Sequence, residues 1–464
     1  MIDCPNCGGN LKFYIPLQRM YCSFCESDFD PYEFDSKDKD GIENNEYETT
    51  ILTCPECGGQ IESTDNETTG FCPFCGGSTI FYSRLSKEEK PDYVIPFYKT
   101  KEDCKEAYMK AAKRAFFLPK EYKDVKYIDG FRGIYMPYWT YDISQGGRLK
   151  LRGEKSHRSG DYIIHDYYDI KGELDCYYNG VSFDASSSFS DDISQKLAPF
   201  DITKKKTFTA GFLSGFYSDR ADVAKSLYQS DAKGFANKMT KDRIQKEPDL
   251  VGYSVDIPKT AIVSNVNGIK RTLLPVWFMS YRKNDRIAYA TVNAQTGKVV
   301  ADFPIDLRKF FAFSAGLAVI LFLLLNLFFT AKPSVSLIVI GVLSLVALIM
   351  YLGGSLKIRS RENKEDDKGY LSKSGKKGDA QKDEAVSEKA YRIKKFPIIT
   401  ATVGIILAIL VFVSHTIHDE VYYICDTVIA VLVSVTLVSL IKDYNLLITR
   451  KLPQFDRKGG DDNA

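Results

Sequence analysis

The chain has 464 residues, a formal net charge of +2, 44% hydrophobic and 26% charged residues, averages that fit a water-soluble protein. Its distribution excludes that reading: residues 1–309 and 354–395 mix charge with apolar groups, whereas four stretches after Phe310 are almost free of charge. Eleven cysteines in so long a chain do not describe a small secreted disulfide scaffold, and the opening MIDCPNC has no basic run leading into an apolar one, so no secretory signal peptide is expected. The expected class is multidomain: two small Cys4 zinc ribbons, an α+β soluble domain with an antiparallel sheet, and a four-helix transmembrane region.

Cys4, Cys7, Cys22 and Cys25 form C-x2-C-x14-C-x2-C, and Cys54, Cys57, Cys72 and Cys75 repeat the spacing. A C-x2-C turn lets two thiolates converge on one ion, and four thiolates suit the tetrahedral preference of zinc. In CPNCGG and CPECGG the proline sets the turn and glycine follows the second ligand, where left-handed backbone is needed. Two Zn2+ ions are expected, one in each of the ribbons at 1–34 and 51–82, although the same cage suits iron. Segments this short bury too little apolar surface to fold alone, so metal supplies their folding energy. One knuckle departs from the pattern: CSFCES carries Glu26 where CPFCGG carries Gly76.

Residues 1–100 hold eight Lys or Arg against eighteen Asp or Glu, and each four-thiolate zinc adds further negative charge. Phosphate binding needs cations to displace counterions, so a protein partner is expected here and nucleic acid is not. Residues 35–50, acidic and nearly free of aliphatics, read as a solvated linker.

Residues 91–306 hold enough apolar and aromatic groups for a core of their own. A helix is predicted over 101–117 and stopped by Pro119. Short strands are predicted at 147–153, 162–170 and 173–183. A helical block is predicted over 208–245, with Phe208, Phe212 and Phe216 as a core stripe. Strand patterning resumes over 260–302, with hairpin turns at Asn267-Gly268 and at Gln295-Thr296-Gly297. Trp139 and Trp277, the only tryptophans, both sit in P-x-W, which predicts an internal duplication around the helical block. His157 and His165 lie in no catalytic motif, GFLSG at Gly211 misplaces its serine for a nucleophile elbow, and Cys104 and Cys176 read as small buried residues. The nucleotide, dinucleotide and zinc-protease motifs are missing, so no enzyme is expected.

The paired ribbon knuckles, followed by VIPF at Val94, GIYMPYWTYD at Gly133, AGFLSGFYSDR at Ala210, LLPVWF at Leu273 and NAQTGKVV at Asn293, resemble a bacterial group of TFIIB-type zinc-ribbon membrane proteins over roughly residues 1–330. Such proteins are often mislabelled as relatives of the PriA helicase, a name this chain cannot carry without a nucleotide-binding loop. The resemblance implies a membrane anchor accompanying flotillin-like or phage-shock-like membrane-stress proteins. It carries over residue by residue only to the eight cysteines.

Residues 311–331, 334–352, 398–414 and 421–441 are each near the twenty apolar residues that cross about 30 Å of hydrocarbon. They place transmembrane helices in 311–352 and 397–441. Arg308 and Lys309 precede the first; thirteen Lys or Arg lie between Lys357 and Lys395; Lys442, Arg450 and Lys451 follow the last. The intervening outer loops hold only Lys332, so the positive-inside rule puts the soluble domain, the charged loop at 353–396 and the tail at 442–464 in the cytosol. Lysines and arginines in that loop would attract anionic headgroups of the lipid bilayer. Few polar residues break the spans. Asp426 reads as an interfacial carboxylate, Asn326 as a milder exception, and His415 and His418 as outer-loop residues. The expected function is a membrane-anchored zinc-binding adaptor presenting cytosolic ribbons to protein partners in membrane-stress organisation. The alternatives are a membrane-bound nucleic-acid regulator and a transporter or channel subunit with a regulatory soluble domain.

Overall fold

The computed structural model describes residues 2–37, 46–63, 69–258, 261–328, 332–362, 393–414, 418–453 and 455. The first ribbon is a sheet of its own, β1 (Leu11–Tyr14), β2 (Arg19–Cys22) and β3 (Asp28–Phe29), all antiparallel. The second is built from β4 (Glu46–Thr53), β5 (Gln60–Ser63), β6 (Thr69–Phe71), β7 (Ser78–Ile80) and β8 (Tyr82–Glu89). Residues 46–50, expected as linker, are already strand and pair along β8, because the threonines of EYETTILT suit a pleated surface. The rest of that segment, 38–45, lies outside the described residues.

Downstream come β9 (Tyr93–Val94), α1 (Lys101–Arg114), α2 (Val125–Ile128), β10 (Arg132–Ser159), β11 (Tyr162–Asp184), α3 (Asp191–Leu197), β12 (Lys206–Thr207), β13 (Tyr217–Asp219), α4 (Gln229–Ile244), β14 (Ser254–Asp256), β15 (Ser264–Lys283), β16 (Arg286–Asn293) and β17 (Val299–Ala301). Thr100 and Asp103 form a reciprocal capping box at the start of α1. The helix stops at Arg114 rather than 117, and Phe116 and Phe117 turn away to pack on Phe313.

One sheet runs in the order β12-β9-β15-β10-β13-β5-β4-β8. It passes without a break from the α+β domain into the second ribbon, because β13 pairs antiparallel with β5, Tyr217 facing Ser63 and Asp219 facing Ile61. That ribbon shares the domain's sheet while keeping a small core of its own.

Three local expectations change. The short strands at 147–153, 162–170 and 173–183 are parts of the single long hairpin β10–β11. Its Gly153, which reads as punctuation, makes room for a neighbour: a Cβ there would sit 2.6 Å from Ile170. The block at 208–245 is helical only in α4 and a short turn at Ala210–Leu213; Phe208, Phe212 and Phe216 are buried in the core as expected, but from a turn rather than a helix face. Asn267-Gly268 is no hairpin. It lies inside β15 at a bulge, where the register against β10 slips between Asp142 and Ile143, and the hairpin falls at Asn284-Asp285, with Asn284 at φ 55°. The turn at Gln295-Thr296-Gly297 stands where expected, with Gly297 at φ 78°.

The duplication is visible in the strand register. β10 and β15 pair antiparallel with Met136 opposite Leu274, so the two P-x-W motifs run outward from a shared centre. β13 pairs parallel with β10 at Ile134 and Tyr135, and at the equivalent Thr272 and Leu273 of β15, β9 pairs in the same way. Trp277 donates its indole N–H to the Lys99 carbonyl just before α1, and Trp139 donates to the Val223 carbonyl ahead of α4, both at 2.8 Å. Each half is a strand, a helix and a long hairpin, and each helix is anchored by the other half's tryptophan.

Four helices are long and apolar enough to cross a membrane: α5 (Leu307–Phe328), α6 (Pro333–Glu362), α7 (Lys395–Ser414) and α8 (Asp419–Ile448). α6, α7 and α8 pack on one another through small and hydroxylated residues. A Cβ on Gly341 would lie 3.0 Å from Ala408, the Ser344 hydroxyl bonds the Ala401 carbonyl at 3.0 Å, and Thr400 meets Thr436 at 3.0 Å. The soluble domain is fastened to this bundle. Asn445 of α8 exchanges two hydrogen bonds with the Ile305 backbone, and Arg286 of β16 donates to the Leu446 and Thr449 carbonyls. Beyond α8 the chain continues as β18 (Arg450–Lys451) on β16, so the large sheet also holds the end of the last span.

Candidate metal centres

Each tetrad is brought together by two knuckles of one design. The first cysteine donates its N–H five residues on, Cys4 to Gly9, Cys22 to Ser27, Cys54 to Gly59 and Cys72 to Gly77, at 2.7–3.0 Å. Its carbonyl accepts from Gly8, Glu26, Gly58 or Gly76, and those four residues all have positive φ, 72°, 57°, 75° and 68°. The glycine after them serves close approach: a Cβ on Gly9 or Gly59 would meet Phe24 or Phe74 at 2.7 and 2.6 Å. Glu26 therefore takes a left-handed conformation with a side chain that disfavours it, the physical content of the departure seen in CSFCES.

The eight cysteines converge as expected. Sulfur separations are 3.6 Å for Cys4–Cys25, 3.4 Å for Cys7–Cys22, 3.8 Å for Cys54–Cys75 and 3.7 Å for Cys57–Cys72. A disulfide would need about 2.05 Å. Zinc held about 2.3 Å from four tetrahedral sulfurs spaces them roughly 3.7 Å apart, so both cages fit a four-thiolate metal ion. Hydrogen bonds with the Ser27 side chain and backbone hold the Cys25 thiol below its usual range, toward the thiolate that a metal takes.

Their surroundings differ. All four cysteines of the second cage are buried, whereas Cys7 and Cys25 of the first are exposed. Phe74, between the ligands of the second cage, is 1% exposed; Phe24, its counterpart in the first, is 80% exposed. Covering the second cage is the chain beyond α8: the Phe455 N–H donates to the Cys57 carbonyl at 2.7 Å and its ring packs edge-on against Phe74, centroids 5.5 Å apart. From the other side the Tyr289 hydroxyl donates to the Phe74 carbonyl at 2.7 Å. Sequence reading gave no sign of Phe455 as part of this site.

The first cage sits on the domain through its other face. Phe13 and Phe212 rings lie 5.3 Å apart, the Ser214 hydroxyl donates to the Leu11 carbonyl at 2.5 Å, and Gln18 donates to the Phe97 carbonyl at 2.7 Å. GFLSG is thus packing, as expected, and what it packs is the first ribbon: a Cβ on Gly211 would strike the Pro31 backbone at 3.0 Å.

Two buried carboxyls flank the junction of β5 and β13. Burial pushes Glu62 up to about 7, against a hydrogen bond from the Tyr47 hydroxyl at 2.5 Å, with Glu88 adding to the rise and Arg271 and Arg220 opposing it. Burial likewise lifts Asp219 to about 7, although Ser186 and Ser188 donate to it at 2.5 and 2.7 Å.

The remaining sequence candidates stay apart from the cages. His157 pairs with Asp166 at 3.4 Å and His165 with Glu154 at 2.5 Å, exposed cross-strand contacts on the β10–β11 hairpin. Cys104 is buried, but Cys176 is only half-buried. His418 is exposed, while His415, the Asn326 side chain and residues 363–392 of the charged loop lie outside the description. Ser336 donates to Asp426 between α6 and α8. The matching contact at the other end of that helix pair, Ser355 to the buried Asp443 at 3.1 Å, was hidden in the sequence because Asp443 lies just past the apolar run.

No protein-family model matches the chain, and no solved structure matches it. The chain is similar to a Bacillus subtilis (strain 168) protein described as the uncharacterized protein YdjG, 28% identical over 330 residues, which cover 70% of this chain and 96% of that relative.

Proposed function

We propose that this protein is a non-enzymatic adaptor, held at the cell membrane by its four helices, whose zinc-loaded first ribbon engages a protein partner. The soluble domain, the charged loop and both termini would lie in the cytosol, on the side the positive-inside rule assigns. The observation that carries the reading is the rigid seating of a four-thiolate cage whose outer side, with Cys7, Phe24 and Cys25, remains open. The acidic surroundings favour a protein over nucleic acid. Kinship with the TFIIB-type zinc-ribbon membrane group, and with it a flotillin-like or phage-shock-like partner in membrane-stress organisation, belongs to this proposal. Partner capture from membranes by the parent and by Cys7→Ser, Cys25→Ser tests it: identical partners on both would end the adaptor reading.

A second reading has one observation behind it. Asp426 keeps one carboxylate oxygen buried without a hydrogen-bond partner among the described residues, between helices that read as membrane spans. Cation flux in vesicles that disappeared in Asp426→Asn would favour a transport role.

A further inference from the structure

The second ribbon carries, within the same chain, an example of what such a knuckle can hold. The chain leaves β18 at Arg450 and Lys451, passes Leu452 and Pro453, and places Phe455 on the cage. Its backbone N–H caps the carbonyl of the second ligand, Cys57, and its ring lies on Phe74 close to Gly59, where a Cβ would come within 3.2 Å of it. The first ribbon has the same parts in the same backbone geometry: Cys7, Gly9 and Phe24. There the parts are uncovered. Among the described residues nothing donates to the Cys7 carbonyl, and Phe24 is 80% exposed; beside Phe24, though not lined by Cys7, lies a cavity of about 300 Å3 shared with Asn10, Lys12, Tyr14 and Tyr21. That size is at the lower end of ligand pockets and suits one aromatic side chain. Charge narrows the occupant. Residues 1–34 hold Lys12 and Arg19 against Asp3, Glu26, Asp28, Asp30 and Glu33, and a zinc held by four thiolates adds about two negative charges.

We propose that the first ribbon binds an extended, basic segment of a partner protein carrying one aromatic residue, seated on Phe24 and the Cys7 carbonyl as Phe455 is seated on Phe74 and Cys57. This rests on the adaptor reading and names the partner's chemistry. It also separates the ribbons: the second is closed by its own chain, and the first is the one that recruits.

The probe is a fluorescent peptide of this chain's own residues 449–457, TRKLPQFDR, titrated into the full-length protein in nanodiscs and followed by anisotropy. The expected result is saturable binding, weakened by roughly tenfold or more both by Phe24→Ser in the protein and by alanine at the peptide's phenylalanine. Phe24 is exposed, so its substitution should leave the zinc content unchanged, which checks that the ribbon is intact. No saturable binding, or binding by Phe24→Ser equal to the parent, overturns the proposal; the latter would place the peptide on the second ribbon in exchange for Phe455. A parent dimer that dissociates in Phe24→Ser would overturn it in favour of a second copy as occupant. If Phe24→Ser changes nothing while Cys7→Ser, Cys25→Ser loses its partners, this inference fails and the adaptor reading stands.

Discussion

The two ribbons share ligand spacing, knuckle hydrogen bonds and sulfur geometry, but they join the soluble domain differently, the second through its sheet and the first through its hydrophobic core. The second is continuous with the large sheet through β5 and β13, roofed by Tyr289 and Phe455, and buried at all four sulfurs. The first keeps a separate three-stranded sheet and two exposed ligands, while its Leu11, Phe13 and Met20 are buried in the main core. Local spacing builds the cage, and the neighbours decide whether it staples a fold or offers a surface.

The sharpest way to break this contrast is to remove ligands from each cage in turn. Structural zinc contributes about 10–16 kcal/mol in small ribbon-like peptides. Cys54→Ser, Cys72→Ser should therefore abolish the cooperative thermal unfolding of the soluble domain, because the sheet runs through that ribbon. Cys7→Ser, Cys25→Ser should keep that transition at a lower midpoint, because Leu11, Phe13 and Met20 of the first ribbon pack in the domain's main core. Equal damage from both would mean that the first ribbon is just as integral.

Acidity offers a second handle. Glu62 stands on β5 where the first ribbon has the exposed Lys12. With its pKa lifted to about 7, the folded protein keeps a proton that the unfolded chain releases near pH 4, so stability falls as pH rises between those values and is flat above them. Asp219 adds a slope of the same sign. Glu62→Gln should halve the combined slope in pH-dependent denaturant unfolding and stabilise the protein above pH 7 by on the order of 3 kcal/mol. An unchanged slope would mean that Glu62 is ionised in the fold.

Smaller effects sharpen the same comparison. Phe455→Ala should destabilise the protein by about 2 kcal/mol, less than a fully buried phenylalanine, whereas Phe24→Ala should stay within about 0.5 kcal/mol; differential scanning fluorimetry compares them. Glu26→Gly relieves a left-handed residue and should strengthen the first cage by about 1 kcal/mol, roughly a fivefold gain in zinc affinity by competition titration.

Much of this was legible in the sequence where the physics is local. Cysteine pairs must be adjacent to share an ion, so the cages could be read; apolar runs announce the four spans, although α6 begins at Pro333 and continues to Glu362 because its last turns leave the apolar stretch. The repeated P-x-W gave the duplication. What could not be read depends on partners far away in the chain. Nothing in QIES points to Tyr217, nothing near Phe455 points to Cys57, and the glycines of β10 look like turns until Ile170 is placed against Gly153. Asn267-Gly268 has the composition of a hairpin, but its position opposite Asp142 makes it a bulge.

The most direct test of the account is native mass spectrometry of the full-length protein released from lipid nanodiscs, with and without a chelator. Two zinc ions per chain are predicted, one leaving early from the open cage and one retained until the domain unfolds, with Cys7→Ser, Cys25→Ser holding only the second. Protein isolated under reducing conditions without any metal, or two ions lost together at one rate, would contradict it.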